Sequence, residues 1–146
     1  MKTNKNLMIV RPIGYVTDGV IQIHERWVKG LEGIEKFSHV IVLFWLHQAK
    51  QPKMKIHPKG IKALPKIGFL ATRAPHRLNP VGVTVMRLRK RRGCKLWVKG
   101  LDVWNDTPVI DIKPYTKKES VKRFSVPEWV RRLYKLEAGS LRKYGN

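Results

Sequence analysis

The stretch F-S-H-V-I-V-L-F-W-L-H-Q, Phe37 to Gln48, is apolar on both faces from Val40 to Leu46 and rich in β-branched and aromatic residues. With its flanks it is only about ten residues long, too short for a typical buried helix, so it reads as a central strand covered on both sides. Upstream, Leu7 to Val16 alternates loosely, Thr17-Asp18-Gly19 supplies a turn, and Val20 to His24 reads as a second strand. Gly30 to Phe37 is glycine-broken and short, which predicts a single helical turn. Downstream, Ile67 to Arg73, Val81 to Leu88, Cys94 to Val98 and Val109 to Lys113 are further short strands, separated by Gly, Pro or charged turns. The expectation is a mainly β fold, a small β-barrel with short helical turns. From Pro127 the period changes: Trp129, Val130, Leu133, Leu136 and Leu141 recur at helical spacing. One C-terminal helix, over about residues 127–144, should pack on the barrel.

A chain of 146 residues suits one domain, 1–146, with a core over 7–115. Lys and Arg number 31 against 10 Asp and Glu, a formal charge of +21. That balance points to a polyanionic partner, nucleic acid first, because each phosphate contact by a cation releases counterions. An anionic membrane surface would instead call for a basic amphipathic helix or a lipid anchor. The single cysteine, Cys94, excludes an intramolecular disulfide framework and argues against a cysteine-based zinc site. The apolar run near the N-terminus is too short for a signal peptide or a membrane span, so the expectation is a cytoplasmic chain with no membrane and no metal partner.

Basic residues also cluster locally. Lys50 to Lys66 carries six lysines and no acid between Pro52, Pro58 and Pro65, a long loop that could be disordered without a ligand. Arg87 to Lys95 carries six basic residues and no acid, with Gly93 marking a hairpin turn. Each run alone reads as a solvated face; together they would make one electropositive field. Between them lies A-T-R-A-P-H-R-L-N-P-V-G, Ala71 to Gly82. Pro75 and Pro80 stiffen this segment, so Arg73 and Arg77 are either solvated on a rigid turn or aimed at a carboxylate or phosphate.

This loop, the F-S-H strand and L-D-V-W-N-D-T-P-V-I-D-I-K-P-Y, Leu101 to Tyr115, occur in the order and form that mark the TsaA-like (TrmO) family of S-adenosylmethionine-dependent tRNA methyltransferases, which the chain resembles over about residues 7 to 115. Asn105-Asp106 stands where that family usually has Asp-Gly, and Leu78 replaces the first proline of its R-P-N-P element. The resemblance implies a small β-barrel, usually homodimeric, that binds S-adenosylmethionine near the subunit interface. It implies methylation of the N6 nitrogen of threonylcarbamoyladenosine beside a tRNA anticodon. It further implies that His47, Gln48, Arg73, Val83, Lys99, Gly100, Leu101 and Asp102 line the cofactor site. Consistently, the chain has no G-x-G-x-x-G after a strand and no strand–helix alternation, so a Rossmann-type methyltransferase is not expected.

S-Adenosylmethionine needs a partner for its carboxylate, for which Arg73 is the natural choice, and acceptors for its ammonium or ribose hydroxyls, for which Asp102 serves. Its methyl group is already activated, so catalysis is chiefly alignment plus removal of a proton, and no metal is needed. Asp111, Lys113 and Tyr115 fall on the D-I-K-P-Y motif: Asp111 or Tyr115 assists deprotonation while Lys113 holds phosphate, or Asp111 pairs with an arginine to organise the loop. Arg77 and Asn79 match the R-x-N-P element and are the candidates for contacting the modified base. His47 is either part of the site or a satisfied core histidine. Two other readings stay open, a non-catalytic basic RNA-binding β-barrel and a methyltransferase for a small metabolite, the second predicting a neutral rim around the pocket. The basic helix residues Arg131, Arg132, Lys135, Arg142 and Lys143, with the lysine-rich stretch, would supply RNA contacts.

Overall fold

The computed structural model describes residues 6–143, with side chains as far as Ser140; residues 1–5 and 144–146, and the side chains of Leu141, Arg142 and Lys143, lie outside the described residues. The expected mainly β barrel is what forms. The described backbone gathers into two compact units, one of residues 6–48 and 80–117, the other of residues 49–79 and 118–143.

The first unit is a closed six-stranded barrel built from β1 (Gly14–Thr17), β2 (Val20–Ile23), β3 (His39–Trp45), β6 (Val81–Arg92), β7 (Lys95–Lys99) and β8 (Pro108–Pro114), in the order β1-β2-β7-β6-β3-β8. Every ladder between these neighbours is antiparallel. β3 is central, as its composition predicts, pairing with β6 on one side and β8 on the other. It is covered unequally, however: Val40, Val42 and Phe44 are fully buried, while Ile41, Leu43 and Trp45 on the outer face are half-buried. The inward set joins Val16, Ile21, Ile23, Met86, Leu88, Leu96 and Val109 in one core. Leu31, from the 3-10 segment Glu25–Leu31, enters the same core.

Local chemistry explains the boundaries. The β1–β2 hairpin turns through Asp18 (φ 48°) and Gly19 (φ 73°), the two left-handed positions of a tight turn whose twist suits a hairpin. The strand expected from Leu7 starts only at Gly14, because Arg11 and Pro12 precede the first barrel bond, from the Ile13 N–H to the Val109 carbonyl at 2.8 Å. β6 runs four residues past the expected Leu88, to Arg92, and β7 begins at Lys95.

In the second unit, β4 (Lys55–Ile56) pairs with β5 (Ile67–Gly68). The expected strand from Ile67 stops at Gly68, because Phe69–Ala71 forms a 3-10 turn held by the Thr72 hydroxyl, which donates to the Phe69 carbonyl at 2.9 Å. The lysine-rich stretch is folded, not a structureless loop: Leu64 is 1% exposed, and its carbonyl lies 2.7 Å from Nδ1 of His57. Helix α1 (Glu128–Lys143) forms as expected, but the bonds it makes run within this unit. Glu137 pairs with Lys59, and Arg132 donates to the Ala63 carbonyl at 2.9 Å. Trp129, Val130 and Leu133 are half-buried on one side of α1, whereas Leu136 is exposed.

Gly14 is the glycine with least room for a side chain, since a Cβ there would lie 2.1 Å from the Gln22 backbone oxygen. Gly14→Ala should therefore destabilise the chain by about 1–3 kcal/mol in urea unfolding, as overpacking does. Phe44→Ala should cost about 3–5 kcal/mol through the cavity it leaves.

Candidate functional site

The three motifs are distributed over both units. In the barrel, the F-S-H strand and the D-I-K-P-Y strand are direct neighbours: Ile41 is in register with Lys113 and Leu43 with Asp111. Just past these pairs the Tyr115 N–H donates to the His39 carbonyl at 3.1 Å, and the two rings lie 6.2 Å apart. His39 Nδ1 is in turn 2.8 Å from the Ser38 hydroxyl. His39 was not among the expected site residues; the only sign of it was its place in F-S-H.

Asp111 is engaged on both oxygens. Oδ1 accepts the Ile112 N–H at 2.9 Å and Oδ2 lies 2.8 Å from Lys113 Nζ, so its partner is this lysine and not an arginine. The hydrogen bond from Lys113 to Asp111, and then their charge attraction, hold the Lys113 ammonium above its ordinary 10.5. A pKa raised on folding makes the pairing fully present below lysine's unfolded value and lost only as pH rises through the folded one. At neutral pH the Lys113 ammonium is charged.

His47 and Gln48 are exposed in the turn after β3. Gly100, Leu101 and Asp102 follow the end of β7: Gly100 is left-handed (φ 93°), Leu101 packs against the barrel core, and Asp102 is exposed. β7 runs parallel to β3, each being antiparallel to β6, so both groups leave the same end of their strands. They are offset, because Lys99 is in register with Arg87 and Arg87 with His39. Six residues of β3 separate His39 from Trp45, about 20 Å at some 3.3 Å per residue, so Lys99 and His47 are not neighbours. Val83 lies between these levels on the outer face, 43% exposed and opposite Leu43. Beside Trp45 is a cleft of about 310 Å³, lined by Met8, Val10, Pro12, Trp45, Pro108 and Ile110.

The turn between Leu101 and β8 is fastened to the β1–β2 hairpin. Asp106 is left-handed (φ 65°), as its place in the motif suggests. The Asp18 N–H donates to Asn105 Oδ1 at 2.9 Å, the Asp106 N–H to the Val16 carbonyl at 2.9 Å, and the buried Thr107 hydroxyl to the Trp104 carbonyl at 2.6 Å.

The arginine loop belongs to the second unit as far as Asn79. Arg73 and Asn79 are exposed, Arg77 is not. Nη1 of Arg77 points back into the loop, donating to the carbonyls of Thr72 at 2.6 Å, Phe69 at 3.1 Å and Ala74 at 3.3 Å, with its guanidinium 5.8 Å from the Phe69 ring centroid. His76 adds a second brace, its Nδ1 accepting the Lys50 N–H at 3.0 Å. Arg77 thus gives the loop the stiffness that Leu78, in place of proline, does not. Among the described residues no group of three or more metal-ligating side chains is found.

A family model described as the tRNA-methyltransferase O N-terminal domain matches residues 11–120. The chain is 35% identical over 117 residues to a protein of Methanocaldococcus jannaschii named a probable S-adenosyl-L-methionine-binding protein, covering 75% of this chain and 93% of that one. It is 41% identical over 87 residues to the human tRNA (adenine(37)-N6)-methyltransferase, covering 58% of this chain and 20% of the human protein. The crystal structure of TrmO from Pseudomonas aeruginosa superposes with a TM-score of 0.63 at 32% identity, covering 82% of this chain and 61% of that one. The chain therefore spans nearly all of the archaeal relative but about three fifths of the crystallised protein and one fifth of the human enzyme.

Two outcomes follow from this geometry. Arg77→Lys, with one ammonium in place of a planar fork that bonds and stacks, should leave the loop open, read as faster amide exchange over residues 69–79 with the barrel amides unchanged. Asp111→Asn should bring the Lys113 side chain back towards its ordinary titration, followed by NMR of the Nζ-adjacent methylene.

Proposed function

The chain belongs to the tRNA-methyltransferase O family, and on that footing we propose that it is an S-adenosylmethionine-dependent methyltransferase acting on the N6 nitrogen of threonylcarbamoyladenosine beside a tRNA anticodon. The observation that carries this reading is the meeting of two motifs on one surface, the F-S-H histidine against the tyrosine of D-I-K-P-Y, with Asp111 and Lys113 in register beside them.

The residues present suit the cofactor chemically. Arg73 would hold its carboxylate, and Asp102 would accept from a ribose hydroxyl or the ammonium. Gly100, with no side chain and a left-handed backbone, leaves room for close approach. The apolar cleft beside Trp45 is in the size range of small-molecule sites and suits a flat base. When bound, S-adenosylmethionine supplies a methyl group already activated by a sulfonium.

The chain's own residues then position the nucleophile and receive its proton. Each oxygen of Asp111 keeps a second lone pair beyond the bond it already accepts, so the carboxylate can take a further N–H while Lys113 stays paired beside it. Tyr115 and His39 orient the acceptor, while Asn79 contacts the modified base and Arg77 holds the loop that carries Asn79 and Arg73. The charge of +21 supports a polyanionic substrate over a small metabolite.

We also read the working form as a cytoplasmic homodimer. Val83 and Val85, 43% and 50% exposed, lie with Ile41 and Leu43 on an apolar part of the outer face that a second copy would cover. The offset between Lys99 and His47 is a gap that residues of such a copy would close. Among the described residues no helix is long and apolar enough to cross a membrane.

Calorimetric titration with S-adenosylmethionine tests the pocket, and mass spectrometry of tRNA digests tests the product. Arg73→Ala should weaken cofactor binding at least about tenfold, the worth of a charge-assisted bond, with RNA affinity retained. Asp111→Asn should lower the methylation rate by about 10²–10⁴-fold with cofactor affinity retained. Unchanged cofactor binding in Arg73→Ala would remove that arginine from the site. No binding by the parent chain, with or without tRNA, would leave the RNA-binding barrel as the better reading.

A further inference from the structure

The outer face of β6 changes character halfway along. Val81, Val83 and Val85 occupy it first, and Arg87 follows. Regular alternation would then place Arg89 and Arg91 outside and Lys90 and Arg92 inside. The register does not continue that way: Leu88 faces Val98, but Lys90 faces Trp97, which leaves Arg89 as an extra, unpaired residue. This one-residue bulge inverts the alternation beyond it.

Lys90 and Arg92 therefore face outward with Arg87. Arg91, opposite the fully buried Leu96, faces the barrel side and is spent on structure. It donates to the Gly93 carbonyl at 3.1 Å, to Glu35 at 3.3 Å and to the Val28 carbonyl at 3.4 Å. On β7, Lys95, Trp97 and Lys99 share the outer side with their β6 partners.

The outcome is a ribbon with Arg87 directly opposite Lys99 and Arg92 directly opposite Lys95, and no acid among the outward residues. Like charges facing each other across a ladder repel. Arg87, Arg89, Arg92, Lys95 and Lys99 make no ion pair within the described residues. Lys90 alone has a local partner, its Nζ 5.1 Å from the Trp97 ring centroid. A depression of about 330 Å³ lies among Arg87, Leu88, Arg89 and Lys99.

We infer that this face of the β6–β7 hairpin is an RNA-backbone site: one phosphate seats in the depression between Arg87, Arg89 and Lys99, and the strand continues along the ribbon past Arg92 and Lys95. It rests on the proposed reading of tRNA as substrate and adds the surface that holds it. Phosphate oxygens between paired cations replace repulsion with attraction, which solvent alone does less well. Trp97, the one bulky apolar side chain facing outward on the ribbon from Arg87 onward, is half-buried with Lys90 over its ring, which favours RNA over insertion into a membrane. Lys99 ties the ribbon to Gly100–Asp102, so bound RNA would run beside the stretch assigned to the cofactor.

The test is the full-length triple variant Arg89→Gln, Arg92→Gln, Lys95→Gln, which leaves the proposed cofactor residues intact, with Arg89→Gln alone as a milder companion. Binding of an anticodon stem–loop RNA is followed by anisotropy between about 50 and 200 mM salt. The slope of log affinity against log salt should flatten by about 2 to 3 in the triple variant and by about 1 in the single one, at roughly 0.7–0.9 per lost contact. Calorimetric S-adenosylmethionine affinity should not change, and the melting temperature should stay or rise. An unchanged slope and affinity would overturn the site while leaving the methyltransferase reading intact. Loss of binding to phosphatidylserine vesicles with RNA binding retained would overturn it in favour of a membrane surface. Failure of the parent chain to bind RNA would overturn both the site and tRNA as substrate, whereas RNA binding without cofactor binding would sink only the methyltransferase.

Discussion

The two ladders of β3 are what the barrel depends on. Seven residues, His39 to Trp45, pair with β6 on one edge, and five pair with β8 on the other, so one short strand sets the level of half the sheet. Because every second residue of β3 is fully buried, slipping either ladder by one position would exchange Val40, Val42 and Phe44 for half-exposed neighbours. At about 1.5–3 kcal/mol for each large apolar side chain buried, such a slip would forfeit much of the stability of a domain this size. The same registry assembles the candidate site, since Asp111 and Lys113 stand opposite Leu43 and Ile41 and have no other reason to share a face with the F-S-H strand.

Much of this arrangement is legible in the sequence because local and global preferences agree. Val40 to Leu46 contains the residues that favour a pleated, mostly covered strand, and Asp18-Gly19 contains the pair that a tight hairpin requires. Where the two levels part, sequence reading falls short. Lys50 to Lys66 looks like an open basic loop because lysine dominates the count, but one leucine, Leu64, closes it, and helix α1 returns Glu137 and Arg132 to the same segment. No local pattern gives such long-range pairing.

The arginines make the point more sharply. Arg73 and Arg77 are alike in sequence, four residues apart in one stiff loop, but Arg73 is exposed and Arg77 is folded back onto three carbonyls. In the second basic run, Arg91 is likewise diverted to the Val28 carbonyl and Glu35. The Glu35 carboxyl is held below the usual carboxylate range, first by its own backbone N–H and then by Arg91. That anchorage is present above the ordinary carboxylate pKa and is lost as pH falls through the lowered one. Charge counted along the chain therefore overstates what each run offers a partner, and the difference is set by which carbonyls the fold leaves without donors.

The bulge at Arg89 has an evolutionary consequence. It lets the strand change length by one codon without disturbing the faces beyond it: with Arg89 removed, Lys90 would still stand opposite Trp97, Arg91 opposite Leu96 and Arg92 opposite Lys95, so the outward and inward sets stay the same. Insertion or deletion at this one place thus adds or removes a single surface cation while the registry of the hairpin and its buried side are kept, in one genetic step. The bulge is therefore a place where the surface charge of the hairpin can be tuned one residue at a time at no cost to the packing of Leu88, Leu96 and Val98 behind it.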